Sequence, residues 1–267
     1  MDDSSSNAFP AWWLVIPAAG QGSRMKSLIA KQYLVLDNRS MLEVSLSRFS
    51  GLPGLQGAVL ALAEADAVAP ALLASFVDFP LHFVQGGATR TDSVRAALAF
   101  LTTRLQCEHE TWVAVHDAAR PCVHPSDVRK LLRQVTAAAA GSAGGLLAAP
   151  VRDTLKRAND SGRVASTLPR TGVFHALTPQ LFPLGGLVSA MEQAQLAGEL
   201  LTDEASAFEF TGMSPLLIEG RVDNIKVTHP EDLPLARLIL QSQGVFIPVG
   251  EPGGQSVDTP PGETAYV

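Results

Sequence analysis

The chain has 267 residues, with 20 Lys and Arg against 26 Asp and Glu, a net charge of −6 and two cysteines. An acidic balance excludes the basic footprint of a nucleic-acid binder, and two cysteines at no metal-like spacing exclude a disulfide scaffold or a zinc site. The length suits one large domain, which buries roughly three-quarters of its unfolded surface and needs no covalent staples.

Residues 1–8 are small and polar and are expected to be disordered. Met1-Asp2-Asp3 is acidic where an export signal is basic, and the apolar stretch Ala8–Ala19 is too short to span a bilayer. A cytoplasmic protein without a membrane partner is expected.

Trp12–Ile16 reads as a buried first strand, and it breaks at Pro17 into Ala18-Ala19-Gly20-Gln21-Gly22-Ser23-Arg24-Met25, with Lys31 beyond. Glycines let backbone N–H groups close on a ligand, and consecutive N–H groups form a concavity that suits phosphate. A strand, a Gly-rich loop and two cations make a layout for holding a polyphosphate. Three loops of this kind compete. A Walker A loop needs Lys-Ser/Thr directly after its last glycine, which is absent. A dinucleotide fingerprint needs a small residue where Met25 stands and a crossover helix before Tyr33–Leu36, and only about seven residues intervene. Asp37 stands where a ribose-binding acid could, so that reading stays open, as does a Gly-rich turn without a ligand.

Ser40-Met41-Leu42-Glu43 is a capping box that opens a helix with Leu42, Leu46 and Phe49 on one side, and Gly51 stops it. Ala58–Leu62 reads as a parallel strand, Asp66–Phe76 as a helix and Leu81–Val84 as a strand. Gln85-Gly86-Gly87 leads into a helix with Val94, Ala97, Leu98, Leu101 and Leu105 inward, and Trp112–Val115 is the next strand. This alternation predicts an α/β fold with a doubly wound, mostly parallel sheet. Ligands of such sheets sit outside the strands' carboxyl ends, where 17–31, 86–93 and 116–121 all fall.

From Val151 the pattern changes. Val151–Arg157 and Arg163–Pro169 flank Asn159-Asp160-Ser161-Gly162 and predict a projecting β-hairpin arm, 151–170. An isolated hairpin is marginal in water, so a second subunit is expected to support it in a homodimer. Helices are expected over Leu187–Leu196 and Thr202–Phe210, and a strand over Pro215–Glu219. A capping box at Thr228–Glu231 opens a last helix to about Leu240. The expected organisation is a disordered 1–8, a catalytic domain over 9–243 and a disordered tail over 244–267.

Pro17-Ala18-Ala19-Gly20-x-Gly22-x-Arg24-Met25 with Lys31-Gln32-Tyr33 resembles the signature of the 2-C-methyl-D-erythritol 4-phosphate cytidylyltransferases. The resemblance continues in His116–Pro121, Ala149–Thr154, Thr202–Ala205 and Asp223–Thr228. One departure is Ala30, where the family has proline. The resemblance implies a nucleotidyltransferase of Rossmann-like fold that joins CTP to methylerythritol phosphate with the aid of Mg²⁺. It implies catalytic roles for Arg24, Lys31, Arg170 and Lys226, and nucleotide contacts from Pro17, Ala18, Ala19, Gly20, Gly22, Gly87, Ser93 and Asp117. Asp117 is also the expected metal ligand, with Asp223 a second candidate. Arg120, Thr154, Thr178 and Thr202 are the expected substrate contacts, with Thr154 and Arg170 supplied by the partner's arm. The alternatives are a cytidylyltransferase for ribitol or another sugar-alcohol phosphate, an NAD(P)-dependent oxidoreductase, and a nucleotide-binding protein without turnover.

Overall fold

The computed structural model describes residues 9–20, 29–74, 76–138 and 143–246. Strand β1 (Trp12–Pro17) is followed, after a 3-10 turn over Lys31–Tyr33, by a small hairpin of β2 (Val35–Leu36) and β3 (Arg39–Ser40). Helix α1 (Met41–Ser47) opens on the expected capping box: Ser40 Oγ accepts from the Glu43 N–H at 3.2 Å, and Glu43 Oε2 accepts from the Ser40 N–H at 2.7 Å. The chain continues through β4 (Leu55–Leu62), α2 (Val68–Leu73), β5 (Leu81–Gln85), α3 (Arg90–Thr103), β6 (Trp112–Val115), α4 (Pro125–Ala137) and β7 (Gly145–Pro150). The arm is β8 (Leu155–Ala158) and β9 (Val164–Leu168). Then come β10 (Phe174–Pro183), α5 (Leu184–Leu196), α6 (Glu204–Phe210), β11 (Leu216–Glu219) and α7 (Asp232–Ser242).

Seven strands form one sheet in the order β11-β7-β10-β6-β1-β4-β5. Only β10 runs against its neighbours, β6 and β7. Side chains alternate across a strand, so β1 feeds two cores. Leu14 and Ile16 pack with Leu42, Leu46, Leu131 and Leu132 on the α1 and α4 face. Val15 packs with Val94, Leu98, Leu101 and Phe182 on the α3 and α5 face. A satellite core under α7 joins Leu36, Met41, Val227, Leu240 and Phe246.

Several boundaries differ from expectation, among them the starts of β4 at Leu55 and of α5 at Leu184. The helix expected over Asp66–Phe76 spans only Val68–Leu73, and Asp66 stays outside its start, where its Oδ1 accepts from the Val68 and Ala69 N–H groups at 3.0 and 3.3 Å. Of the strand-like Tyr33–Leu36, Tyr33 ends the 3-10 turn, Leu34 is extended, and only Val35–Leu36 pair as a strand. The capping box expected at Thr228–Glu231 does not form: Glu231 stands at the N-cap of α7 without a side-chain bond, and the chain ahead of the helix is held instead by Asp232. Its carboxylate accepts from the Thr228 and His229 N–H groups at 2.7 and 2.8 Å, leaving Pro230 ahead of the helix. Val245 and Phe246, expected to lie in a disordered tail, are packed, with Phe246 4% exposed beneath the Arg39 guanidinium. Residues 1–8 and 247–267 lie outside the described residues.

The arm's turn is as its residues predict. Asn159 Oδ1 accepts from the Ser161 and Arg163 N–H groups at 3.2 and 2.9 Å, and Gly162 takes φ +73°. Residues 156–167 are exposed throughout. Within one chain nothing covers them among the described residues, so the hairpin has no core of its own.

Candidate active site

A cleft of about 310 Å³ opens beyond the carboxyl ends of β1, β5 and β6. Pro17–Gly20, Gly87–Arg90 and Asp117–Ala119 form its walls, with Lys31 and Lys226 at its margin. Of the expected site residues, Pro17, Ala18, Ala19, Gly20, Lys31, Gly87, Ser93, Asp117 and Lys226 therefore share one cleft. Gly22 and Arg24 lie outside the described residues.

Close packing of two loops dictates the glycine at 86. A Cβ there would lie 2.6 Å from Ala19 Cβ and 2.8 Å from Ser93 Oγ. Ser93 Oγ accepts from the Gly87 N–H at 3.2 Å and donates to the Thr89 carbonyl at 3.0 Å, so its hydroxyl shapes the loop. Thr89 and Asp92 make a reciprocal capping box that starts α3 at the cleft.

The turn that carries Lys31 is held by its neighbours. Gln32, 4% exposed, donates from Nε2 to the Ala18 carbonyl at 2.9 Å, which ties the turn to the first loop. The Tyr33 hydroxyl donates to Asp66 Oδ2. Ala30 lies at φ −57° and ψ 137°, within the range a proline ring imposes. Rigidity at this position does not depend on the ring. Ala30→Pro is expected to raise stability by about 0.4–1 kcal/mol, because it narrows only the unfolded ensemble. Urea midpoints would test this, and a lower midpoint would mean that the native turn rejects the ring.

Asp117, just past β6, is the electrostatic centre of the cleft. Its Oδ1 accepts from Arg90 Nε at 2.9 Å, Oδ2 pairs with Lys226 Nζ at 2.8 Å, and Arg120 Nε lies 3.7 Å from Oδ2. Burial alone would raise its pKa, but Arg90, then Lys226 and Arg120, override burial and hold the carboxyl far below the usual range. Asp117 is ionised at any working pH.

The backbone beneath Asp117 is fixed by His116 and Thr178. The Arg120 carbonyl can only accept, so His116 Nε2, 3.1 Å away, carries the proton. Nδ1 then accepts from the Thr178 hydroxyl at 2.9 Å, and the hydroxyl accepts from the Asp117 N–H at 3.2 Å. Because β10 runs antiparallel, its early residues reach the same end of the sheet as the end of β6. Thr178, expected to touch substrate, is 5% exposed and sits behind Asp117.

Burial lowers the His116 pKa to about 4, against the opposing pull of Asp117 and alongside a smaller push from Arg120. Unfolded imidazole titrates near about 6.5, so between 6.5 and 4 the unfolded chain binds a proton that the native chain refuses. This contribution is complete above pH 6.5 and is lost as pH falls toward 4, by about 3 kcal/mol in all. Urea midpoints between pH 7 and 4.5 should fall less steeply in His116→Gln than in wild type. Equal slopes would assign the loss to other groups.

A second cavity, about 470 Å³, adjoins the first and is bounded by Arg120, Arg152, Asp153, His175, Asn224 and Lys226 among others. Lys226 belongs to both cavities. Arg120 donates from Nη1 to the Asn224 carbonyl at 2.8 Å, while Arg120 Nε and Asn224 Oδ1 are buried without a hydrogen-bond partner. Arg120, Arg152, His175, Asn224 and Lys226 make the lining of this second cavity polar and cationic.

Some expected residues are not brought in. Thr154 and Arg170 are exposed on the arm and line neither cavity, and the Arg170 guanidinium donates to the Arg152 carbonyl. Thr202 is exposed ahead of α6, its N–H donating to Ser206 Oγ at 3.2 Å. Asp223, the second metal candidate, is taken up by Arg221 at 2.5 Å and lines neither cavity. Three residues with no role expected from the sequence are built into the site: Gln32 and Glu204, which stand within the matched motifs, and Arg90. Arg90 meets Glu204 across 114 residues of chain, at 2.7 and 3.0 Å, so no local spacing could reveal the pair.

The family model of the 2-C-methyl-D-erythritol 4-phosphate cytidylyltransferases matches residues 12–242. A protein of that name from Pseudomonas putida is 48% identical over 224 residues, covering 84% of this chain and 93% of its own. Another from Pseudomonas aeruginosa is 46% identical over 229 residues, covering 86% of this chain and 96% of its own. Among solved structures, a 4-diphosphocytidyl-2C-methyl-D-erythritol synthase superposes with a TM-score of 0.74 at 34% identity, covering 86% of this chain and 99% of the other. The Francisella tularensis 2-C-methyl-D-erythritol 4-phosphate cytidylyltransferase gives 0.69 at 32% identity, covering 86% of this chain and all 100% of its own. With the match running from the first strand through the last helix, the chain belongs to the 2-C-methyl-D-erythritol 4-phosphate cytidylyltransferase family.

Proposed function

We propose that the chain transfers CMP from CTP to 2-C-methyl-D-erythritol 4-phosphate, releasing pyrophosphate and 4-diphosphocytidyl-2-C-methyl-D-erythritol for isoprenoid precursor synthesis. The observation that carries this reading is Lys226, which borders both cavities while bonded to Asp117. Two phosphorylated anions repel each other, and a shared cation between their sites lowers that barrier. A phosphate oxygen of the polyol attacks the α-phosphorus of CTP. The bond from that phosphorus to the bridging oxygen breaks, and pyrophosphate leaves with the bonding electrons.

Transfer of this kind asks mainly for positioning and for positive charge where negative charge spreads. Lys31, at the margin of the glycine loops, acts on the triphosphate as a point charge. Arg24 is assigned the same task from the family resemblance. Gly87 and the residues from Pro17 to Gly20 receive the nucleoside, with Ser93 holding their loop. Arg120 faces the polyol phosphate.

The donor set fits a magnesium ion carried in by the nucleotide, since Asp117 is ionised on the cleft wall and Mg²⁺ takes one or two carboxylates plus phosphates. Among the described residues, no group of three or more His, Cys, Asp or Glu could hold a metal unaided. When bound, the ion supplies further positive charge to the triphosphate.

The arm, with Thr154 and Arg170, is assigned to the site of a second copy in a homodimer. No described helix is long and apolar enough to cross a membrane, and a cytoplasmic enzyme without nucleic-acid partners fits the acidic charge. The test is pyrophosphate release with methylerythritol phosphate and each of CTP, ATP, GTP and UTP. Release with CTP alone, lost in chelator and restored by Mg²⁺, is expected. Equal release with ribitol phosphate would move the assignment to another polyol.

A further inference from the structure

Arg90 lines the nucleotide cleft, yet its hydrogen bonds point away from a phosphate-binding role. Nη1 and Nη2 donate to Glu204 Oε1 and Oε2 at 2.7 and 3.0 Å, which occupies the planar fork that would grip a phosphate. Nε donates sideways to Asp117 Oδ1 at 2.9 Å. The guanidinium therefore faces two carboxylates, and the three groups together carry one net negative charge.

Glu204 is 1% exposed, and a buried carboxylate is tolerated only when paired and hydrogen-bonded. Its position is itself fixed. It opens α6, whose N-terminus is joined to β10 by Gln180: Gln180 Oε1 accepts from the Ala205 N–H at 2.9 Å, and Nε2 donates to Asp203 Oδ2 at 2.9 Å. Gln180 is 1% exposed. A rigid connection thus runs from β10 through Glu204 and Arg90 to the Asp117 carboxylate, while Thr178 of β10 holds the Asp117 N–H.

We propose that Arg90 and Glu204 are positioning residues that act through Asp117, resting on the function proposed above. Glu204 locks the guanidinium plane, and Arg90 Nε pins Oδ1. The Asp117 carboxylate then has a single rotation, with Oδ2 turned to Lys226 and to the nucleotide. Arginine is required because a lysine, with one point charge, cannot bridge two carboxylates in fixed geometry. Without Glu204 the guanidinium plane is no longer fixed, and Arg90 Nε releases Oδ1.

A double-mutant cycle tests this, with Glu204→Gln and Asp117→Asn singly and together. It is read by kcat and by the Kd for CTP from titration calorimetry with Mg²⁺, so that inactive variants are still scored. Glu204→Gln alone is expected to lower kcat at least about fivefold and weaken CTP binding about threefold. In the Asp117→Asn background each effect that can be measured should shrink to less than about 1.5-fold, because the residue it acts through is gone. Equal effects in both backgrounds would overturn the proposal. So would tighter CTP binding in Glu204→Gln, the sign of Arg90 being a phosphate contact held in check. Arg90→Lys run through the same cycle covers the case in which Glu204→Gln does not fold. Wild-type protein that releases no pyrophosphate from CTP with methylerythritol phosphate would instead remove the underlying functional reading.

Discussion

Asp117→Asn is expected to lower turnover by at least about 100-fold, because Lys226 loses the carboxylate that places it and the loss of a preorganised cation at a transferring phosphoryl group acts on that scale. The substitution keeps shape and removes one negative charge from among Arg90, Lys226 and Arg120. Those three then repel one another with only Glu204 to balance them. Lys226 and Arg90 side chains are 38% and 28% exposed, so water screens much of that repulsion and the stability loss is held to about 1–3 kcal/mol. Circular dichroism and a urea titration should therefore report a folded protein while pyrophosphate release collapses. Near-normal turnover would remove Asp117 from the mechanism, and a protein that unfolds outright would make its role structural.

Mixing two inactive variants is expected to restore activity. Arg170→Ala disables the arm and Lys31→Ala disables the cleft. If the arm completes the neighbouring subunit's site, a mixed dimer holds one site in which an intact arm meets an intact cleft. With equal amounts and free exchange, half of the dimers are mixed and each has one good site of two, so recovered activity approaches about one-quarter of wild type. The motive is structural: Thr154 and Arg170 are exposed, line neither cavity of their own chain, and lie on a hairpin without a core. No recovery, with subunit exchange demonstrated by native mass spectrometry, would assign the arm to its own chain's site.

The first cavity of the candidate site was legible because its residues are local. The first strand, its glycine loop and Lys31 fall within a short stretch, and the glycines at 86 and 87 lie just ahead of α3. What escaped was non-local or disguised. Arg90 and Glu204 are unremarkable in isolation and acquire meaning only when α3 and α6 bring them together. Strand β10 contains Pro179 and Pro183, which argue against a central strand. The sheet accommodates Pro179 because the pairing of β10 with β7 is interrupted between Ala176 and Gln180. Missing β10 also hid why Thr178 lies behind Asp117. Helix α4 carries Val128, Leu131, Leu132 and Val135 at helical spacing, a pattern that the sequence reading left unused.

The central claim is that one nucleotide and one polyol phosphate are joined at the α-phosphorus across the cavities that Lys226 shares. Phosphorus NMR of the product made from CTP, methylerythritol phosphate and Mg²⁺ tests it most directly. The account predicts two coupled resonances of an unsymmetrical diphosphate appearing together with free pyrophosphate, and neither in the Lys226→Ala variant. Inorganic phosphate in place of pyrophosphate, or a product without a new diphosphate linkage, would contradict it.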